Sequence, residues 1–144
     1  FRPFPPGIEV PRYDLRPVAS QLDLAGLEIE VLEVFHGSLP VLALRIGDFA
    51  YVTDVSQIPE AAWERLQGLD TLVLDAVRYK PHPNHFHFDR AVEVAQELKA
   101  KQTYFTHLSH DYDHDVVNAT LPPSIQLAFD GLKIRIQGGC SQTT

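Results

Sequence analysis

The sequence has no methionine and only one cysteine, and both facts limit the classes of protein to which the chain can belong. The single Cys140 cannot form a disulfide framework or a cysteine-based zinc site, which favours a reducing, cytoplasmic setting. A translated protein begins with methionine, whereas this chain begins with Phe1, so we expect it to be part of a longer protein. Apolar runs are short and no charged-then-apolar leader is present, so the sequence predicts no membrane span and no signal segment.

Basic residues are also scarce, since 12 lysines and arginines stand against 19 aspartates and glutamates and give a net charge of −7. This balance argues against a general nucleic-acid-binding surface. The length of 144 residues, with 44% hydrophobic and 22% charged residues, is typical of one globular domain. We therefore expect a single domain over residues 1–144, with a disordered Gly-rich tail over 138–144.

The hydrophobic pattern predicts a mixed α/β fold in which helices cover a sheet. Gly47-Asp48 and Asp130-Gly131 each separate two apolar runs, as expected for tight hairpin turns. Continuous apolar runs predict buried strands, and apolar residues at helical spacing predict an amphipathic helix. The predicted strands are 13–18, 27–34, 40–46, 49–53, 71–74, 103–106, 125–129 and 132–136, and the predicted helices are 59–66, 88–100 and, as a helix or turn, 115–120.

Four predicted strands end in a polar residue of the type that binds metals, namely His36, Asp54, Asp75 and His107. Divalent metals of hard or borderline character bind histidine nitrogen and carboxylate oxygen, and one carboxylate can bridge two metals. Each of these residues alone is equally typical of a turn or a helix cap. Taken together they favour a metal site of the two-metal hydrolytic kind, with caps and turns as the alternative.

Histidine and aspartate are concentrated between His107 and His114. The spacing of His107, His110 and His114 would align them on a helix face, as a local metal site requires. Alternatively, His110 and Asp111 cap the turn after the strand while Asp113 and His114 lie in solvent. We favour solvent for His114, and both interpretations stay open for His110.

A loop over residues 77–86 contains two further histidines, and His87 follows it. His85 is placed to donate to an anionic substrate or to a leaving group. We expect His87 to cap or pack at the start of the next helix. His82 lies between two prolines and is expected to be exposed.

Several short motifs, in this order, resemble the metallo-β-lactamase superfamily. They resemble the branch containing the phosphonate-pathway phosphodiesterase that opens cyclic ribose phosphates, a relative of the tRNA 3′-processing endonuclease. The motifs are Phe35-His36-Gly37, residues 51–56, residues 72–76, Asn84-His85-Phe86, residues 104–110 and residues 129–132. The resemblance implies that the chain is the C-terminal part of an αββα sandwich, a mixed sheet with helices on its outer face.

The resemblance also implies ligands for two divalent metal ions, either zinc or manganese. His36 would be a histidine ligand of the first ion, Asp54 would bridge both ions, and His107 would be a ligand of the second. The superfamily signature His-x-His-x-Asp-His, which supplies two ligands to each ion, is absent from this sequence. Three ligands would hold two ions weakly, so we expect the chain alone to be inactive.

Three more residues receive roles from the same resemblance. His85 would contact the phosphate and protonate the leaving oxygen. Asp75 and His110 would lie behind the ligands, where Asp75 would orient one of them and His110 would not bind a metal.

The function that follows is a metal-dependent hydrolase, most simply a phosphodiesterase that acts on a small cyclic or nucleotide-like phosphodiester through a metal-activated water. The acidic composition disfavours a long nucleic acid, and a tRNA-like substrate stays open. The chain would pair with its missing N-terminal half or with a second copy. The alternatives are a non-catalytic binding module of this fold and a hydrolase of thioesters or lactones.

Overall fold

The structure is a computed structural model, and it describes Asp14 and residues 16–136. The tail predicted over 138–144, with Cys140, lies outside the described residues. Of the strand predicted over 13–18, Asp14 and residues 16–18 are described, and they belong to no strand. None of the described helices is long and apolar enough to cross a bilayer.

Within the described residues, seven strands form one mixed sheet in which spatial order follows chain order. The first four strands pair antiparallel, and the fourth to seventh pair parallel. Tight turns join the antiparallel strands, whereas each parallel connection contains a helix. The strands are β1 (Gln21–Leu24), β2 (Leu27–His36), β3 (Leu39–Ile46), β4 (Phe49–Val52), β5 (Thr71–Asp75), β6 (Gln102–Thr106) and β7 (Ile125–Leu127).

Three helices lie in the crossovers, namely α1 (Glu60–Arg65), α2 (Phe88–Leu98) and α3 (His114–Thr120). The longest, α2, buries apolar residues at positions that recur every three or four residues, and these are Ala91, Val94, Ala95 and Leu98. The helix α3 begins with a side-chain cap, since Asp113 accepts a hydrogen bond from the Val116 N–H. The spacing of apolar residues therefore determines which face of α2 packs on the sheet, and the Asp113 cap determines where α3 starts.

The helices cover one face of the sheet. Their buried residues cluster with strand residues that share that face, and these are Leu32, Val34, Ala43, Ala50, Val52, Leu72, Leu74 and Phe105. Cross-strand pairing places Tyr51, Val73 and Tyr104 side by side on the opposite face. There Tyr51 is 44% exposed and Leu42 is 52% exposed. This second face is thus open and partly apolar, and we call it the open face.

The predicted mixed α/β fold with a helix-covered sheet is confirmed, whereas the edges of the sheet differ from the prediction. The strand β1 was not predicted, because it is only four residues long and all four of its residues are exposed. The strand predicted over 132–136 does not pair with β7. The turn itself forms, with the Leu132 N–H donating to the Phe129 carbonyl over 3.0 Å. The chain then passes along the open face, where Ile134 lines one cavity with Tyr51.

Candidate active site

Four strand ends bring the polar residues of this site to one edge of the sheet. The strand β2 runs in the same direction as β4, β5 and β6, because β3 is antiparallel to both of its neighbours. His36 and Asp75 are the last residues of β2 and β5, His107 directly follows β6, and Asp54 lies two residues after β4. Carboxyl ends of like-directed strands meet at one edge, which is where α/β proteins place their sites.

His36, Asp54 and His85 each offer one ligand atom, and these three atoms lie within 4.8 Å of one another. The Nε2 atoms of His36 and His85 are 3.1 Å apart, so one nitrogen donates a hydrogen bond and the other accepts it. His107 joins the group, with its Nδ1 3.9 Å from Asp54 Oδ1 and its ring centre 4.8 Å from that of His85. Imidazole nitrogen and carboxylate oxygen form a donor set suited to Zn²⁺ or Mn²⁺.

The end of β2 is fixed by a glycine turn that other loops hold in place. Gly37 adopts a φ of +63°, and a Cβ there would collide with the Asn84 side-chain amide. The Gly37 N–H donates to Ser56 Oγ over 2.8 Å, and Ser56 Oγ donates to the Phe35 carbonyl over 3.1 Å. The loops that carry His36 and His85 therefore pack directly against each other.

His107 lies in a strained backbone position directly after β6. Its φ of 56° is in the left-handed region, which costs a non-glycine residue about 1 kcal/mol or more. Backbone hydrogen bonds on both sides hold it, since the Ala76 N–H donates to the Thr106 carbonyl and the Ser109 N–H donates to the Val77 carbonyl. Strain that neighbouring residues maintain in this way is typical of residues placed for a function.

A buried carboxyl group lies behind His85. Asp75 has none of its surface exposed, and its Oδ1 accepts a hydrogen bond from the Val55 N–H over 3.1 Å. Its Oδ2 is 3.2 Å from His85 Nδ1. Burial raises the pKa of Asp75 to about 8, while burial and then the neighbouring His107 lower the pKa of His85. Near neutral pH the pair is uncharged as a whole, with a proton between Oδ2 and Nδ1 and another on His85 Nε2.

The shifted pKa of Asp75 predicts that metal-free protein loses stability as the pH rises from 6.5 to 8. The unfolded chain releases this proton near pH 4, whereas the folded chain keeps it until about pH 8, so the folded state binds one proton more across this window. We expect the free energy of unfolding to fall by about 1–2 kcal/mol. Asp75→Asn, which imitates the protonated carboxyl, should abolish this fall in urea titrations, whereas Asp89→Asn on the exposed face of α2 should preserve it.

The three histidines after β6 do not form one local cluster. His110 has a 99% exposed side chain, and its Nε2 is 3.8 Å from an Asp111 carboxylate oxygen. His114, expected in solvent, is instead half-buried at the first position of α3, with its Nε2 3.3 Å from the Leu127 carbonyl. His87 occupies the N-cap position of α2 without a side-chain capping bond. His107 alone of these residues contacts the site.

His82 was expected to be exposed, but it lies beside His85 at the edge of the site. Its ring is half-buried, 4.8 Å from the ring of His85, and its Nδ1 accepts a hydrogen bond from the Asn84 N–H over 3.1 Å. Desolvation, then Arg78, His36 and His107, lower its pKa, so it lies within electrostatic reach of the whole group. The sequence signal for this position is the spacing of the two histidines, since His82 precedes His85 by three residues in the same loop.

Comparison with known proteins identifies a family. A protein-family model described as a β-lactamase superfamily domain matches residues 6–108 of this chain. The chain is 46% identical to a crystallised protein described as a new diphosphatase from the PhnP family, with a TM-score of 0.84 over 87% of this chain. It is 20% identical to YhfI, a metallo-β-lactamase fold protein from Bacillus subtilis, with a TM-score of 0.62 over 81% of this chain.

One curated relative is an octanoyltransferase of Porphyromonas gingivalis. The chain is 33% identical to it over 112 residues, which is 76% of the chain's own length. The match spans only 23% of that protein. The chain likewise spans about half of each solved relative, 50% of the diphosphatase and 52% of YhfI.

Proposed function

We propose, on the premise that this chain belongs to the metallo-β-lactamase superfamily, that it forms the C-terminal half of a hydrolase that cleaves phosphodiester bonds. The observation that carries the proposal is the grouping of His36, Asp54 and His107 around His85, whose imidazole is backed by the buried Asp75. Family membership itself implies divalent metal use. The 46% identity to a diphosphatase supports phosphorus as the centre that is attacked.

The proposed ligands divide between two divalent ions, zinc or manganese. His36 would bind one ion, His107 would bind the other, and Asp54 would bridge them, since its carboxylate is close to both imidazoles. Two such ions supply an activated water and neutralise charge on the phosphate. We assign the missing ligands to a segment outside this chain, because the chain spans 50% of the similar diphosphatase and lacks the His-x-His-x-Asp-His run.

Two residues of this chain, His85 and Asp75, would supply the proton that the leaving oxygen takes up. Asp75 fixes the His85 ring through Nδ1, which leaves the Nε2–H to meet the substrate. As the water oxygen bonds to phosphorus, the ester P–O bond breaks and the departing oxygen takes the Nε2 proton of His85. Burial keeps a proton on Asp75 near neutral pH, and as the Nε2 proton leaves, this proton can pass to Nδ1, which keeps His85 neutral and leaves Asp75 as a carboxylate.

A small substrate agrees with the charge of the chain. The net charge of −7 supplies no extended basic surface for a polynucleotide, which favours a cyclic or nucleotide-like phosphodiester over tRNA. The single Cys140 supports the cytoplasmic setting that we propose with it. The name octanoyltransferase belongs to a protein of which this chain spans 23%, so it gives no ground for acyl transfer here.

Pairing with another segment is the second part of the proposal. The open face carries Tyr51 and Leu42, which are 44% and 52% exposed, together with Phe129, which is 58% exposed. Burying such surface is favourable by about 25 cal/mol per Å². A second sheet of the same protein would cover this face and could supply the missing ligands to the edge where His36 and His107 lie.

Hydrolysis assays with a substrate panel test the proposed reaction. Full-length protein reconstituted with Mn²⁺ or Zn²⁺ should hydrolyse bis(p-nitrophenyl) phosphate and 2′,3′-cyclic AMP. The same preparation should leave an acyl thioester and a lactone intact. Thioester or lactone turnover without phosphodiester turnover would favour the hydrolase alternative, and metal-free, inactive protein would favour a binding module.

A further inference from the structure

We propose that Phe129 lines a subsite for the part of the substrate that stays bonded to phosphorus, and that this retained group is a nucleoside whose base stacks on the phenyl ring. This inference rests on the proposed function, because it presupposes that the phosphate lies at His107 and that the leaving oxygen meets His85. It goes beyond that function by giving the retained group a binding place and a chemical class.

A cavity of about 240 Å³ adjoins His107 between the ends of β6 and β7. His85 is held by Asp75 at the end of β5, and β6 separates β5 from β7. The cavity therefore lies on the side of His107 away from Asp75. It is smaller than the about 300–1,000 Å³ of a site that takes a whole drug-sized ligand, so it suits one part of a substrate. Its walls are Thr106, His107, Leu108, Ala128, Phe129 and Asp130.

The position of the cavity matches the retained group. In a phosphodiester the leaving group and the retained group are bonded to the same phosphorus through different oxygens. If the leaving oxygen meets His85, the retained group extends in another direction from the phosphate. The cavity is the space that borders His107 beyond the edge of β6, so a group bonded to a phosphate at His107 would enter it.

The aromatic wall of this cavity is exposed and yet held in place. Phe129 is 58% exposed, and the ring of His114 meets it edge-on, with centroids 6.2 Å apart and planes at 87°. Asn118 Nδ2 donates to His114 Nδ1 over 3.2 Å, and His114 Nε2 donates to the Leu127 carbonyl over 3.3 Å. The Leu127 N–H donates in turn to Asn118 Oδ1 over 2.8 Å. A ring supported in this way is a preformed stacking surface.

The backbone beside Phe129 is fixed as well. The Ala128 N–H donates to the Phe105 carbonyl over 2.7 Å, and the Leu132 N–H donates to the Phe129 carbonyl over 3.0 Å. These bonds hold the segment after β7 against the end of β6. Little order therefore has to be gained when a ring stacks on Phe129, which favours binding.

The chemistry of the walls selects the class of the retained group. An aromatic side chain stacks on a nucleobase whatever the base is, because every base has a π-face. Asp130 places a carboxylate in the same cavity, and a carboxylate accepts hydrogen bonds and repels a second phosphate. An uncharged aromatic group that carries hydrogen-bond donors fits both walls, and a nucleoside is such a group.

Two esters with the same leaving group test this inference. Thymidine 5′-(p-nitrophenyl) phosphate and methyl p-nitrophenyl phosphate both release p-nitrophenolate, and they differ only in whether thymidine or methyl stays on phosphorus. Phe129→Leu keeps apolar bulk and removes the aromatic face, whereas Phe129→Tyr keeps the ring. Val116→Ala is the control, since Val116 is 62% exposed on α3 and does not line the cavity.

We expect Phe129→Leu in full-length, metal-loaded protein to raise the KM for the thymidine ester about tenfold, the effect of one lost stacking contact, with kcat changed less than about twofold. Its KM for the methyl ester should stay within about twofold of wild type. Phe129→Tyr should stay within about threefold for both esters, and Val116→Ala should match wild type. Calorimetric binding of thymidine 5′-monophosphate, which needs no turnover, should weaken about tenfold in Phe129→Leu, and binding of methyl phosphate should not change.

An equal loss on both esters would overturn the inference, and a lowered melting temperature of Phe129→Leu would then assign this ring to the contact with a second sheet. Unchanged kinetics on the thymidine ester and unchanged affinity for the monophosphate would overturn it too. Wild-type protein that hydrolyses both esters with the same KM would overturn it and leave the proposed function standing. Metal-loaded wild type that is inactive on both esters would overturn both.

Discussion

Replacing Asp54 by alanine in the full-length protein should abolish phosphodiester hydrolysis and, with it, remove more than half of the bound metal. The carboxylate is the one ligand that the proposed site shares between its two ions, and it lies within reach of both His36 and His107. Its loss removes a ligand from each ion and the bridge that this chain would provide between them. We expect kcat/KM to fall by about 1,000-fold or more and bound metal to fall from two ions per chain to less than about one.

Asp54→Asn sharpens this prediction, because it keeps the size of the side chain and an acceptor for the Thr53 hydroxyl, which donates to Asp54 Oδ1 over 2.8 Å. The asparagine amide is uncharged, so it cannot offset the positive charge of two bound cations as the carboxylate would. Elemental analysis and steady-state kinetics on the same sample give both readouts. Two ions per chain and near wild-type activity in Asp54→Asn would contradict the bridging role, whereas Asp111→Asn, an exposed carboxylate, should change neither readout.

The second large effect is expected from His85→Asn. Asparagine retains a group where Nδ1 meets Asp75 and removes Nε2, so it isolates proton donation to the leaving oxygen. We expect kcat for 2′,3′-cyclic AMP, which loses a sugar hydroxyl, to fall about 100- to 10,000-fold. For bis(p-nitrophenyl) phosphate, whose leaving group departs without a proton, the loss should be under about tenfold.

Metal content decides between two roles for His85, because its Nε2 belongs to the same cluster of ligand-type atoms as His36 and Asp54. A proton donor can be removed while two ions per chain remain bound. If His85→Asn lost metal and reacted equally slowly with both substrates, His85 would be a ligand and the proposed proton transfer would be wrong. His87→Asn serves as the control imidazole outside the site.

Much of this architecture follows from local sequence signals. The alternation in β2 and the apolar run of β5 correspond to one wet face and to full burial, so their positions could be predicted. Polar residues at the ends of β2, β4, β5 and β6 meet at one edge because two hairpins return the chain to the direction of β2 in β4, and the parallel connections keep β5 and β6 in that direction. That rule is enough to bring His36, Asp54, Asp75 and His107 together.

Other features depend on contacts between distant segments, which no local pattern records. The alternation of apolar and polar residues over 132–136 is typical of a strand, but it does not determine which strand these residues would pair with. In the structure they lie along the open face. His82 enters the site only because the loop closes, with the Phe86 N–H donating to the Val55 carbonyl over 2.8 Å. The sequence Pro81-His82-Pro83 on its own is typical of an exposed loop.

The most direct test is elemental analysis of metal on protein whose intact mass is measured in the same preparation. If the chain is half of a two-metal hydrolase, the purified protein should have a mass well above 16.2 kDa and contain close to two zinc or manganese ions per chain. A folded protein of 16.2 kDa that binds neither ion would contradict the account, since His36, Asp54 and His107 would then be no part of a metal site.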